Sequence, residues 1–92
     1  MPATALTTLI ATRCAALGIP SDVDLARRVS AAGFRGRSPS LVRTWRAGTG
    51  RPVAEDWGGL AAALEVAVEV VAAAHADDNL ARARAAIRAA AA

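Results

Sequence analysis

Leu6, Leu9, Ile10, Cys14 and Leu17 recur at the three- and four-residue spacing of one helix face, and Gly18 follows as a stop, so the pattern predicts a first helix over about 4–17. Ser21 is placed to cap a second helix, with Asp24 three residues on resembling the acid of a capping box. That helix carries Leu25, Ala26 and Val29 inward and stops near Ala32, where Gly33 and Gly36 bracket a short basic loop, Phe34-Arg35-Gly36-Arg37. Ser38-Pro39 opens a third helix to about Ala47. On it Leu41, Val42 and Trp45 fall within about 100° of arc and read as core, while Ser40, Arg43, Thr44 and Ala47 take the opposite face. Gly48-Thr49-Gly50-Arg51-Pro52 then breaks the chain.

A fourth helix begins near Ala54 or Glu55 and turns Trp57, Leu60, Ala61 and Leu64 inward, with Gly58-Gly59 weakening it or admitting a close backbone. Val66 to Val71 alternate partly like a strand, but the alanines around them and the lack of a second strand favour a fifth helix over about 66–75. Asp77 or Asp78 is a candidate cap for a last helix with a narrow apolar stripe of Leu80, Ala83, Ile87 and Ala90, able to pack on its own domain or on a second copy. The expectation is an all-α protein of five or six helices.

Composition sharpens this. A chain of 92 residues holds one small core and no cleft between two lobes. Its 26 alanines, with three aromatic residues in all, suit thin, closely packed helices. All 11 cations are Arg, a choice that a genome rich in G and C also makes, so their placement says more than their number. Seven lie between Arg27 and Arg51 with no acid among them, and the rest of the chain is net acidic although the total is +3. Such a basic block points to a polyanion. Within it, the outward face of the third helix carries two hydroxyls, a guanidinium and a methyl, chemistry that can enter a major groove.

Cys14 is the only cysteine, which excludes an intramolecular disulfide and fits a reducing cytoplasm; in a core-facing position it reads as a buried thiol. His75 stands alone among alanines and suggests no metal site. The carboxylates come in exposed-looking pairs, Glu55-Asp56 and Asp77-Asp78, with no positioned base and nucleophile and no phosphate-cradling glycine loop, so no enzyme activity and no cofactor is expected. No apolar run approaches the roughly 20 residues of a membrane span, and none reads as a signal peptide.

Taken in order, Leu17-Gly18-Ile19, Ser21, Leu25-Ala26, Ser38, Val42, Trp45, Gly48, Pro52, Leu60-Ala61 and Leu64-Glu65-Val66 resemble the helix-turn-helix domain of lambda-repressor-like (xenobiotic-response-element-type, Cro/repressor) transcription regulators. The resemblance covers about residues 5–72. It implies a DNA-binding domain over 1–72, followed by an alanine-rich helical extension over 73–92. It also implies a third helix lying in the major groove of double-stranded DNA, and binding as a homodimer to a two-fold operator, as a repressor does. It places Ser38, Ser40, Arg43 and Thr44 at the DNA, with Ser40, Arg43 and Thr44 at the bases and Ser38 at a phosphate; Arg27, Arg35, Arg37, Arg46 and Arg51 of the basic block then read as phosphate contacts, Arg27 being equally readable as a solvated helix face. Leu80, Ala83 and Ile87 are the candidate dimer stripe.

The chain departs from the family pattern in four places. The segment between Val29 and Ser38 is about six residues longer, Pro39 stands where a long polar base-reading side chain is common, and Asp22 puts an acid where the second helix usually offers a neutral phosphate donor. Arg46 and Cys14 replace the two members of a buried ion pair, which leaves Arg46 for phosphate. An alternative function is a protein-interaction module, such as an antitoxin bound to its toxin or an adaptor, built on the same helices.

Overall fold

The computed structural model describes residues 4–33 and 36–92, and among these residues every regular element is a helix: α1 (Ala5–Leu17), α2 (Asp22–Ala32), α3 (Pro39–Ala47), α4 (Ala54–Leu64) and α5 (Val68–Ala91). Four of the expected helices appear nearly where the hydrophobic pattern puts them. The fifth and sixth are one continuous helix of 24 residues, without a break at Asp77-Asp78 or at residue 72. No helix is long and apolar enough to cross a membrane.

Local chemistry fixes the helix ends. Thr4 and Thr7 form a reciprocal capping box at α1, and Ser21 and Ser38 accept from the Asp24 and Leu41 amides at α2 and α3. Asp24 does not complete a capping box: its carboxylate accepts the Ser21 hydroxyl at 2.8 Å. Gly18 and Gly48 close α1 and α3 in the left-handed region, at φ 67° and 80°. Glu65 does the same for α4 at φ 56°, and Val66 N–H donates back to the Ala61 carbonyl at 3.0 Å, so the chain leaves α4 through a tight turn and Val66 is not helical.

The core is where α1, α2, α3, α4 and the first half of α5 meet. Trp45 is 1% exposed and is packed among Leu6, Ile10, Leu25, Leu60 and Leu64. Gly59 lets α2 and α4 touch by backbone, since a Cβ there would lie 3.1 Å from Gly33 Cα and 3.2 Å from the Val29 carbonyl. Gly58 has nothing within 4 Å and serves no such purpose.

Two aspartates that the sequence pattern assigned elsewhere hold this arrangement together. Asp78, expected to cap its own helix, is buried in the middle of α5 and accepts from the Ala5 and Leu6 amides at 2.7 and 3.2 Å, capping α1 from 73 and 72 residues away. Asp56, in the first turn of α4, accepts from Arg37 Nε at 3.0 Å, with the two side chains 7% and 17% exposed.

Candidate nucleic-acid interface

The face of α3 turned away from the core is set by the helix itself. Val42 and Trp45 are locked into the interior, which rotates Ser40, Arg43 and Ala47 into solvent. Ser38 accepts from Leu41 N–H at 3.2 Å and keeps its own hydroxyl proton for an outside acceptor. Pro39 occupies the first turn, where an absent N–H costs nothing.

Thr44 sits differently from Ser40 and Arg43. It is half-buried, its hydroxyl donates to the Leu41 carbonyl at 2.6 Å, and its own carbonyl accepts the Thr49 and Gly50 amides, both at 3.1 Å. A Cβ on Gly50 would fall 2.5 Å from Thr44 Oγ1, so the turn after α3 closes directly over this side chain. The outward polar face of α3 is therefore narrower than the helical wheel alone suggests.

The acid-free basic block of the sequence is not acid-free in space. Arg27 lies 3.5 Å from Asp24, Arg28 3.9 Å from Glu65, Arg37 3.0 Å from Asp56, and Arg43 and Arg46 lie 3.2 and 3.1 Å from the two oxygens of Asp22. The first turn of α2 and the middle of α3 converge to make that last arrangement, a single carboxylate bridging two guanidiniums. Arg46, which the sequence reading left without an acidic partner, is thus held by Asp22, and its side chain is 30% exposed. Arg37 is the most sequestered of the set and serves the α4 ion pair. Arg51 donates to Asn79 Oδ1 at 2.7 Å, and Arg82 donates to the same oxygen, which gathers two guanidiniums on a neutral acceptor. Arg35 lies outside the described residues.

Arg43 keeps an open reach into solvent. Its side chain is 74% exposed, and it uses Nε toward Asp22, so the terminal edge of the fork, Nη1 and Nη2, makes no hydrogen bond among the described residues. That edge is the one that meets two acceptors in parallel.

Arg13, which carried no assignment in the sequence, donates from Nε to the Leu64 carbonyl at 3.0 Å, and Arg28 Nη1 reaches the Ala63 carbonyl at 3.4 Å. Both satisfy carbonyls at the C-terminus of α4, where a cation is favoured by the helix dipole. Cys14 is buried and its thiol is pushed up from its ordinary pKa, first by burial, so it stays protonated and unreactive.

Compared with family models, curated proteins and solved structures, the chain matches none of them.

Proposed function

We propose that this chain is a sequence-specific double-stranded DNA-binding protein of helix-turn-helix type that regulates transcription as a repressor, with α3 entering the major groove. The observation that carries the reading is the outward face of α3: a short helix anchored by Val42 and Trp45, with no large apolar side chain and no acid of its own on that face, presenting Ser40 and the open edge of the Arg43 guanidinium while the Asp22 carboxylate of α2 engages Arg43 through Nε. Arg43 pairs in this reading with guanine O6 and N7, Ser40 gives a shorter contact to an adjacent base, and Ser38 donates its hydroxyl to a phosphate. Thr44 contributes its methyl edge and shapes the turn.

Asp22 gives the interface a built-in discriminator. It neutralises Arg43 and Arg46 in the unbound protein and would repel a phosphate brought against the start of α2. Non-specific binding therefore gains little from these two cations, whereas a correctly placed guanine offers Arg43 a bidentate partner in addition to Asp22.

The test is selection of bound DNA from a random pool, followed by mobility shifts over a salt series. Arg43→Ala is expected to weaken binding to the selected site by about tenfold to a hundredfold, and binding to unrelated DNA much less. Equal losses on both DNAs would remove its base-reading role. Affinity that does not fall steeply with salt would overturn DNA binding itself.

A second reading, the interaction module of an antitoxin or adaptor, draws on the exposure of Leu80 and Ile87 on α5. Co-purification of a different polypeptide that is lost in Leu80→Asp/Ile87→Asp would favour it.

A further inference from the structure

Val71, Ala74 and Asp78 turn one stripe of α5 toward the body of the protein, and the same stripe runs on through Ala81, Arg82 and Ala85, which are exposed. Two of those three positions carry only a methyl group. The space they leave is a cleft of about 670 Å³ between this part of α5, the start of α1 and the turn after α3, with Leu6, Trp45, Thr49 and Arg51 in its wall. A concavity of this size, apolar over much of its wall and with a few placed polar groups, is the usual shape of a small-molecule site.

The charges in the wall say what such a molecule carries. Arg51 and Arg82 both line the cleft, and both donate to one neutral oxygen, Asn79 Oδ1. Two like charges are thus gathered, and among the described residues neither has a carboxylate within 4 Å. Burial, and then these same two cations, push the His75 pKa below its ordinary value against the opposing effect of Asp78, so their positive field extends beyond the rim. Of the two acids in the wall, Asp78 is taken up by the Ala5 and Leu6 amides, and Asp77 makes no ion pair among the described residues.

We infer that this cleft binds a small organic acid, its carboxylate held by the Arg51 and Arg82 guanidiniums and its apolar body lying along Leu6, Trp45 and the methyl groups of Ala81 and Ala85. A guanidinium fork matches a carboxylate edge to edge. Beside Asp77 and Asp78, a singly charged carboxylate suits the two cations better than a doubly charged phosphate ester, which the acids would repel. Ser40 and Arg43 do not line the cleft, so the site stands apart from the DNA-facing side chains. Trp45 supplies a reporter: it is 1% exposed, and its indole N–H has no acceptor among the described residues, so its environment follows any change in the wall.

Proton–nitrogen correlation spectra of the whole chain, titrated with naphthoate and with octanoate at neutral pH and without DNA, test this. The indole N–H of Trp45 and the amides of Thr49, Arg51 and Ala81 are expected to shift saturably with both acids. The indole N–H of Trp57, which donates to the Pro52 carbonyl outside the cleft, is expected to move far less. Arg51→Gln and Arg82→Gln should each weaken binding about tenfold, as should the change from naphthoate to the neutral naphthamide. Ala81→Phe, which fills the cleft from an exposed helix position, is expected to abolish binding and leave the helical circular dichroism unchanged. No saturable shift at Trp45 up to the solubility limit of both acids overturns the site. Naphthamide binding as tightly as naphthoate overturns the anionic end, and tighter binding of naphthyl phosphate overturns the carboxylate. If the same resonances shift with protein concentration alone, the cleft belongs to a second copy and the small-molecule guest is overturned.

Discussion

A methyl group placed on Gly59 would press against Gly33 and the Val29 carbonyl, backbone atoms that cannot swing away, whereas one on Gly58 meets nothing. The two neighbours therefore respond in opposite directions. Gly59→Ala is expected to destabilise by about 1–3 kcal/mol through overpacking of α2 on α4, and Gly58→Ala to stabilise by about 0.5–1 kcal/mol through helix propensity; urea unfolding of the two variants reads the difference. The sequence shows the Gly-Gly pair and both of its possible uses. Which glycine has which use depends on where α2 lies. Asp22 is similar: the sequence shows an acid in the first turn of α2 without saying what it meets, and the fold turns it into the anchor of Arg43 and Arg46.

Among the helices, α5 departs furthest from its hydrophobic pattern. Adjacent aspartates after a run of alanines look like an N-terminal cap, since a carboxylate is favoured at the positive end of a helix. Asp78 does perform that role, but for α1, whose first two amides it accepts while sitting mid-helix in α5. Asp78→Ala is expected to cost about 1–2 kcal/mol and to release the amides of Ala5 and Leu6 to hydrogen exchange, with smaller changes in the exposed end of α5. Asp78→Asn, which keeps an acceptor, should lose less. Helices α1 to α4 were legible because their apolar spacing agrees with the serines that cap α2 and α3 and with the glycines after α1 and α3. The continuity of α5 was not, because a cap read from sequence does not say which helix it caps.

At the scale of the molecule, five of the seven arginines of the basic block are folded onto acids from outside the block. Arg27, Arg28, Arg37, Arg43 and Arg46 each sit within 4 Å of a carboxylate, so the face available to a polyanion is less positive than the linear count implies. The exposed pairs contribute little to stability, about 0–1 kcal/mol each, while the sequestered Arg37–Asp56 pair fixes the entry to α3 against α4. The pH response belongs to this scale too. His75 has a buried Nδ1 without a partner and lies against Trp57, ring centres 4.9 Å apart. Burial lowers its pKa below the ordinary 6.5; Arg51 and Arg82 lower it further, and Asp78 opposes them. The unfolded chain therefore takes up a proton at a higher pH than the folded one. The stabilisation is fully present above the unfolded value and is lost as pH falls through the folded value. The urea midpoint is expected to drop between about pH 7.5 and about pH 5.5, and His75→Gln to flatten that change.

The sequence by itself determined the all-helical class, the bounds of α1 to α3, the start of α4 and the inward faces that carry Leu6, Leu25, Val42, Trp45 and Leu60, because helical periodicity and capping are local properties of a few neighbouring residues. Tertiary structure decided which arginines are spoken for, which glycine touches another backbone, what Asp22, Asp56 and Asp78 hold, and that the second half of α5 leaves the body with its apolar seam uncovered. Apart from Arg27 with Asp24, those pairings join residues about 20 to 70 positions apart. A carboxylate or a methyl carries no local signal of its distant partner, and the partner is set only when the helices pack.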